Sequence, residues 1–215
     1  MIRHHPSPEV LSDYARGALP AGLKLVVSCH LHGCDFCRRE VAIWENTGGA
    51  LLLAAAPVAL ADDALTRALA RIEGGTEAAP RPAKNLPEFL KRFPVPPALH
   101  DKDIGSQLWL TPSIWFAPVR FSEESQSRTY LVYGKENTVL PEHTHRGREY
   151  TSVLCGSYSD DTGTFAEGDF EEADGSLSHA PAAQSECLCV ISADAPMLLH
   201  GRIARMVQAV TGNLY

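Results

Sequence analysis

Six prolines fall between positions 80 and 97, and the hydrophobic pattern on one side of them does not continue on the other. Before them, apolar residues recur every three to four positions, the period of a helix face; after them they alternate, the period of a strand. Neither a pure bundle nor a pure sheet fits both patterns. The switch predicts a small helical half over residues 1–75, a Pro-rich linker over 76–102 with a helical turn at "PEFLKRF", and an all-β half over 103–215.

Four helices are expected in the first half. Ser7 caps the first ahead of Pro8, with Val10, Leu11, Tyr14 and Ala15 on one face. The second runs from about Pro20 to His32, carries Leu23, Val26, Val27 and His30, and ends at Gly33. The third begins in "CDFCRREVAIWENTGG" with Asp35 as cap and stops at Gly48-Gly49. The fourth occupies "DDALTRALARIEGG", capped by Asp62 or Asp63, with Leu65, Ala68, Leu69 and Ile72 along one side. In the second half, "SQLWLTPSIWFAPVRF", "RTYLVYG", "EYTSVLCGSYSD", "ECLCVISAD" and "RIARMVQAV" read as short strands between Gly, Asp, Asn and Pro clusters. With no helix between them, they predict a barrel or jelly roll of about 110 residues. Trp109, Trp115 and Phe116 are expected in its core or at its mouth.

The net charge of −7 lies mostly in the β half, and neither half has the basic field that binding to nucleic acid requires. The start "MIRHHPSPEVLSDYARG" lacks the pattern of a secretory signal. The longest apolar stretch, "ALLLAAAPVALA" at 50–61, is about half a membrane span and contains Pro57. A cytoplasmic location without membrane contact is expected, where six cysteines serve as thiols or metal ligands rather than as a disulfide framework.

Two histidines and two cysteines crowd into "HLHGCDFC" at 30–37. His30 and Cys34 lie one helical turn apart, and Cys37 opens the next helix, so H-x3-C-x2-C brings three zinc-type ligands to a helix junction. A structural zinc takes four. His5 is the candidate for the fourth, with His4, Cys29 and His32 as competitors. The energetic motive is clear, because a helical unit of about 75 residues buries only about 60% of its unfolded surface, whereas structural zinc contributes on the order of 10 kcal/mol. The bland alternative is a set of buried thiols beside a helix-end histidine.

"HTHRGRE" at 143–149 is a separate arrangement. On a strand His143 and His145 point to one side, and Glu149 returns on the next strand after the turn. His179, in "GDFEEADGSLSHAP", can come back to the same pocket. Three imidazoles and a carboxylate suit zinc, manganese or iron. Cys187 and Cys189, as C-L-C, share one face of a strand, where buried apolar packing is the commoner role. Cys155, like Cys29, carries no further signal.

The β half resembles a cupin: His143, His145, Glu149 and Gly156 match the first motif of that family. Gly134 is out of register with its upstream glycine. Gly168 and His179 have the spacing of the second motif, with Asp174 and Ser176 replacing its Pro and Gly. The helical half resembles the zinc-binding anti-sigma domain, whose early His and H-x3-C-x2-C correspond to His5, His30, Cys34 and Cys37. Domain order and length are similar to the ChrR family of anti-sigma factors. That resemblance implies a group IV (extracytoplasmic-function) sigma factor as partner, with apolar helices 1 and 4 to clasp it, and release on singlet oxygen or related oxidants through the cupin half. It also implies zinc at His5, His30, Cys34 and Cys37 and metal, zinc with iron or manganese as alternatives, at His143, His145, Glu149 and His179. No enzymatic activity, small-molecule substrate or direct nucleic-acid contact is then expected. The competing reading is a cupin dioxygenase or isomerase with an added zinc module.

Overall fold

The computed structural model describes residues 1–74, 86–121 and 128–199. Four helices come first: α1 (Pro8–Ala15), α2 (Ala21–Gly33), α3 (Asp35–Ala54) and α4 (Ala64–Gly74). The strands are β1 (Asp103–Ile104), β2 (Leu108–Thr111), β3 (Ile114–Arg120), β4 (Arg128–Gly134), β5 (His143–His145), β6 (Glu149–Cys155) and β7 (Ser157–Asp160). They continue with β8 (Gly163–Ala166), β9 (Phe170–Ala173), β10 (Ser178–His179), β11 (Ala182–Ala183), β12 (Cys187–Ala193) and β13 (Met197–Leu199). The fold class is therefore the expected one, helices followed by an all-β barrel. The stretch "RIARMVQAV" lies outside the described residues.

A large antiparallel sheet runs β1-β3-β4-β12-β6-β9, with β2 also on β3. Two smaller ones, β10-β5-β13 and β11-β7-β8, close the barrel opposite it. Alternation along β12 shows how the core is divided. Cys187, Cys189 and Ile191 face the barrel interior with Phe116, Val132 and Tyr158. Leu188 and Val190 face outward, into one cluster with Leu131, Tyr133 and the helical residues Val26 and Val27. The central strand is thus buried on both faces, which is why it reads as continuous apolar sequence.

The cover on the outer face is α2, which packs against β12 and β6 on one side and against α1 and α3 on the other. Its buried residues accordingly lie almost all round the helix, from Leu23 and Leu25 through Val26, Val27, Cys29, His30 and Leu31. Residues 86–102 add to this core: two short 3-10 turns, Glu88–Leu90 and Pro97–Leu99, sink Leu90 and Leu99 out of solvent.

The third helix departs from expectation at both ends. Its N-cap is Cys34, whose Sγ accepts from the Cys37 backbone N–H, in place of Asp35. It also passes straight through Gly48-Gly49 to Ala54. Neither glycine has a positive φ, and the strong helix formers "ALLLA" beyond them carry propagation until Pro57 removes a donor. Trp115 and Phe116 are buried as expected, but Trp109 is 54% exposed, because β2 is an edge strand lying over β3 alone.

Gly156, between β6 and β7, has φ +74°, and a Cβ there would sit 2.0 Å from the Glu186 carbonyl oxygen. Gly48 has open space around it. Gly156→Ala is expected to cost about 3 kcal/mol or more from strain and clash, and Gly48→Ala to stabilise by about 0.5–1 kcal/mol, both read from denaturant unfolding midpoints.

Candidate metal centres

The first cluster is assembled from three segments. His5 lies on the extended stretch before α1, His30 on the last turn of α2, Cys34 at the α2–α3 junction and Cys37 on the first turn of α3. His30 Nε2 is 3.2 Å from Cys37 Sγ, and His5 Nδ1 is 3.3 and 3.4 Å from Cys37 and Cys34 Sγ. All four donor atoms fall within 4.8 Å of one another. A tetrahedron with zinc bond lengths has edges of about 3.3–3.8 Å, and the three separations of 3.2–3.4 Å are close to that range, so two sulfurs and two nitrogens gathered here suit that ion. Of the competitors, His4 turns toward Phe165 and Asp169, Cys29 is in the apolar core, and His32 is exposed.

The electrostatics suit a metal cage. Burial holds His30 neutral, its pKa down at about 4, and pushes the Cys37 thiol up to about 12. His30 Nδ1–H donates to the Gly168 carbonyl at 2.8 Å, which leaves Nε2 as the free lone pair.

The second cluster stands inside the barrel. His143 and His145 come from one side of β5, Glu149 opens β6, and His179 on β10 pairs directly with His143. All four are at most 5% exposed. His143 Nδ1–H donates to the Pro141 carbonyl at 2.8 Å, and His179 Nδ1 lies 2.6 Å from Asp160 Oδ2, so the Nε2 atoms of both turn inward. His145 Nε2 is 3.1 Å from His179 Nε2, while His145 Nδ1 is buried without a hydrogen-bond partner among the described residues, 3.5 Å from Glu149 Oε2. Lone pairs and a buried carboxyl facing each other in this way are costly unless a cation gathers them. Burial shifts Glu149 up to about 7 and His145 down to about 4. The donor set therefore fits a divalent ion.

An outer layer escaped the sequence. Burial alone would raise Asp160, but hydrogen bonds from His179 and Thr162 outweigh it and hold its pKa at about 2. Tyr158 donates to Glu171, and Tyr130 to Glu149. The only advance signal was that Asp160 precedes a tight turn closed by Gly163, which indicates a hairpin and not a hydrogen-bond partner. In the second motif, Asp174 Oδ1 accepts from the Ser176 backbone and hydroxyl at 2.9 and 2.6 Å, an Asx turn doing the work of the missing Pro and Gly. Cys187 and Cys189 share a face, with sulfurs 3.7 Å apart, and line the apolar interior.

Residues 103–196 match the family described as the ChrR cupin-like domain. The anti-sigma-E factor ChrR of Cereibacter sphaeroides is 33% identical over 213 residues, which span 96% of this chain and 97% of that protein. The chain belongs to the ChrR family of anti-sigma factors. A crystal structure of Rhodobacter sphaeroides SigE in complex with the anti-sigma ChrR aligns with a TM-score of 0.70 at 32% identity, covering 90% of this chain and all of that one. For this member of the ChrR family, the likeness extends through both halves of the chain.

Two outcomes are expected from the geometry. Protons compete with metal for the same atoms, so retention is lost as pH falls. At the barrel cluster the loss, about tenfold per pH unit for each proton displaced, sets in below about pH 7, where Glu149 becomes protonated; at the thiol cluster it continues from pH 9 downward, because Cys37 is protonated throughout. Chelator competition at several pH values separates the two. Asp160→Asn, which removes the charge behind His179, is expected to weaken barrel-site affinity by roughly tenfold in the same assay.

Proposed function

We propose that this chain is a zinc-dependent anti-sigma factor in which residues 1–75 sequester a group IV (extracytoplasmic-function) sigma factor and the barrel over 103–215 governs its release under oxidative stress such as singlet oxygen. The observation that carries this reading is an uncovered apolar face. α3 buries Cys37 and Val41 and then leaves the fold, with Ile43, Trp44, Leu51, Leu52 and Leu53 exposed, the last two at 76% and 88%. α4 has no buried residue, and Leu65, Leu69 and Ile72 recur along one side of it in solvent. The C-terminal half of α3 and the apolar side of α4 are uncovered among the described residues, and exposed apolar helix surfaces of this kind form a protein-binding site by the usual criterion. α1 does not belong to it, because Val10 and Leu11 are spent on packing against the rest of the helical half.

In this proposal His5, His30, Cys34 and Cys37 hold structural zinc, which fixes where α3 leaves the core and hence where its exposed end is presented. His143, His145, Glu149 and His179 hold a second ion, zinc with iron or manganese as alternatives. The barrel interior beside that cluster has only about 50 Å³ of free volume, walled by Phe116, Val132, Leu140, Ile191 and Met197. That is small beside the roughly 300 Å³ and upward of typical ligand pockets and supports a regulator over a cupin enzyme. No helix among the described residues is long and apolar enough to cross a membrane. The proposed place of action is the cytoplasm, where sigma factor and polymerase meet.

The test uses a group IV sigma factor captured by the chain from extract of its host. Leu52→Asp and Leu65→Asp are each expected to weaken the complex by tenfold or more, and Cys34→Ser or Cys37→Ser to derepress sigma-dependent transcription without a stimulus. Unchanged reporter output in both cysteine variants, with unchanged affinity in both leucine variants, would sink the proposal.

A further inference from the structure

The first metal cluster does not end with its four donor residues. Residues Arg3 to Ser7, the segment that carries His5, are fastened to the barrel as well as to the helices. The Asp169 carboxylate, 1% exposed, lies in the turn between β8 and β9; its Oδ1 accepts the backbone N–H of Arg3 at 2.7 Å and of His4 at 3.0 Å. Its Oδ2 accepts the Ala166 N–H at 2.9 Å and sits 3.3 Å from His4 Nδ1. The Phe170 N–H returns a bond to the His4 carbonyl at 3.1 Å, and the Ser7 N–H donates to Glu172 Oε1 at 2.7 Å. His5 is therefore pinned on both sides by one strand of the barrel. On the opposite side of the cluster, the same turn supplies the Gly168 carbonyl that orients His30. Gly168 has φ +88°, and a Cβ there would lie 2.7 Å from Ile2, so the turn and the N-terminal segment are fitted closely.

We propose that the β8–β9 turn of the barrel, through Asp169 and the Gly168 carbonyl, is the outer shell of the helical cluster and positions both of its histidines. Asp169 is a positioning residue: it touches no metal donor atom, but it fixes the backbone from which His5 projects. The same strand runs on into the second cluster. Glu171 bonds Tyr158 and Thr162, and Ala173 pairs with Glu149. From Gly168 to Ala173 is about 17 Å of extended chain. A displacement of β9 moves the outer shells of both clusters, which places a mechanical connection between the barrel and the metal-bearing helices inside the described fold.

The proposal rests on a metal at the Cys34/Cys37 cluster and not on the identity of the partner, and the experiment separates the two. Full-length protein is loaded with cobalt(II), whose thiolate charge-transfer absorption reports the first cluster, since the second offers no sulfur donor. Loss of that band is followed after addition of a chelator. Absence of the band in the parent chain would overturn the metal reading itself. With the band present, Asp169→Ala is expected to lose it tenfold or more faster than the parent. Glu186→Gln, which disturbs a different contact between the barrel and Arg92, is expected to keep the parent rate. Equal rates for Asp169→Ala and parent, or equal acceleration in Glu186→Gln, overturn the proposal. If Asp169→Ala does not fold, Asp169→Asn is read in its place. The unaltered chain supplies an independent measurement: backbone amides of Arg3, His4 and Phe170 are expected to exchange with deuterium at least tenfold faster when the first cluster is stripped of metal. Unchanged exchange overturns the proposal without any substitution.

Discussion

His30 is fully buried, and both of its ring nitrogens are committed: Nε2 toward the thiols of α3, Nδ1–H to a carbonyl of the barrel. A buried imidazole with one unpaired nitrogen would cost a few kcal/mol, so each partner is held in place by the need of the other. Around that residue the helices and the sheet become a single packed body. α2 can bury residues on nearly all its sides only because the sheet lies under it, and β12 can be apolar on both faces only because α2 lies over it. The two halves that differ so sharply in sequence period are thus mutually dependent in packing, and the cluster sits at their seam.

What the fold leaves unused is as informative as what it buries. Beyond Val41, α3 gains nothing from the described core, and α4, at 11 residues, is shorter than an isolated helix needs for stability in water. Apolar side chains such as Leu53 and Ile72, 88% and 75% exposed, carry a solubility cost with no return from the described residues. That cost makes sense for surfaces that spend their working life covered. A partner seated on α3 and α4 would order them by burial, and the direction in which α3 departs is set at Cys34 and Cys37, where the first cluster grips its N-terminus.

Most of this architecture was legible because it rests on local rules. The change of period located the two halves, the spacing of His30, Cys34 and Cys37 anticipated their convergence, and strand alternation put His143 and His145 on one side. The misses have physical reasons. Gly48-Gly49 is a plausible helix stop only if a glycine adopts a positive φ; here "ALLLA" follows and the helix continues. Asp35 has the chemistry of a cap, but the sulfur of Cys34 already occupies that role. Trp109 resembles its neighbour Trp115 in pattern, yet edge and central strands present such a residue to different surroundings. Asp160 and Asp169 were invisible for a deeper reason: each acts on a residue far away in sequence, and no periodicity records a carboxylate that reaches across the fold.

Under the proposed release by oxidants, three thiols outside the first cluster are poor first targets. Burial pushes Cys29 up to about 12 and Cys155 up to about 11, and Cys189, hydrogen-bonded by Cys187 and buried, is also held well above an ordinary thiol. Oxidation follows thiolate character and exposure, so these groups are poor targets. Cys37 is protonated as well unless a metal removes its proton, and then the metal shields it. A chemical event able to disturb the helices must therefore either reach the cluster itself or arrive as a shift in structure from the barrel. In the barrel cluster, the buried carboxyl of Glu149 and a His145 nitrogen without a hydrogen-bond partner among the described residues both call for a cation, so its geometry depends on what occupies it. β9 runs from that cluster to the turn that holds His5 and His30, so a loss of order at one end need travel only the length of a single strand to reach the other.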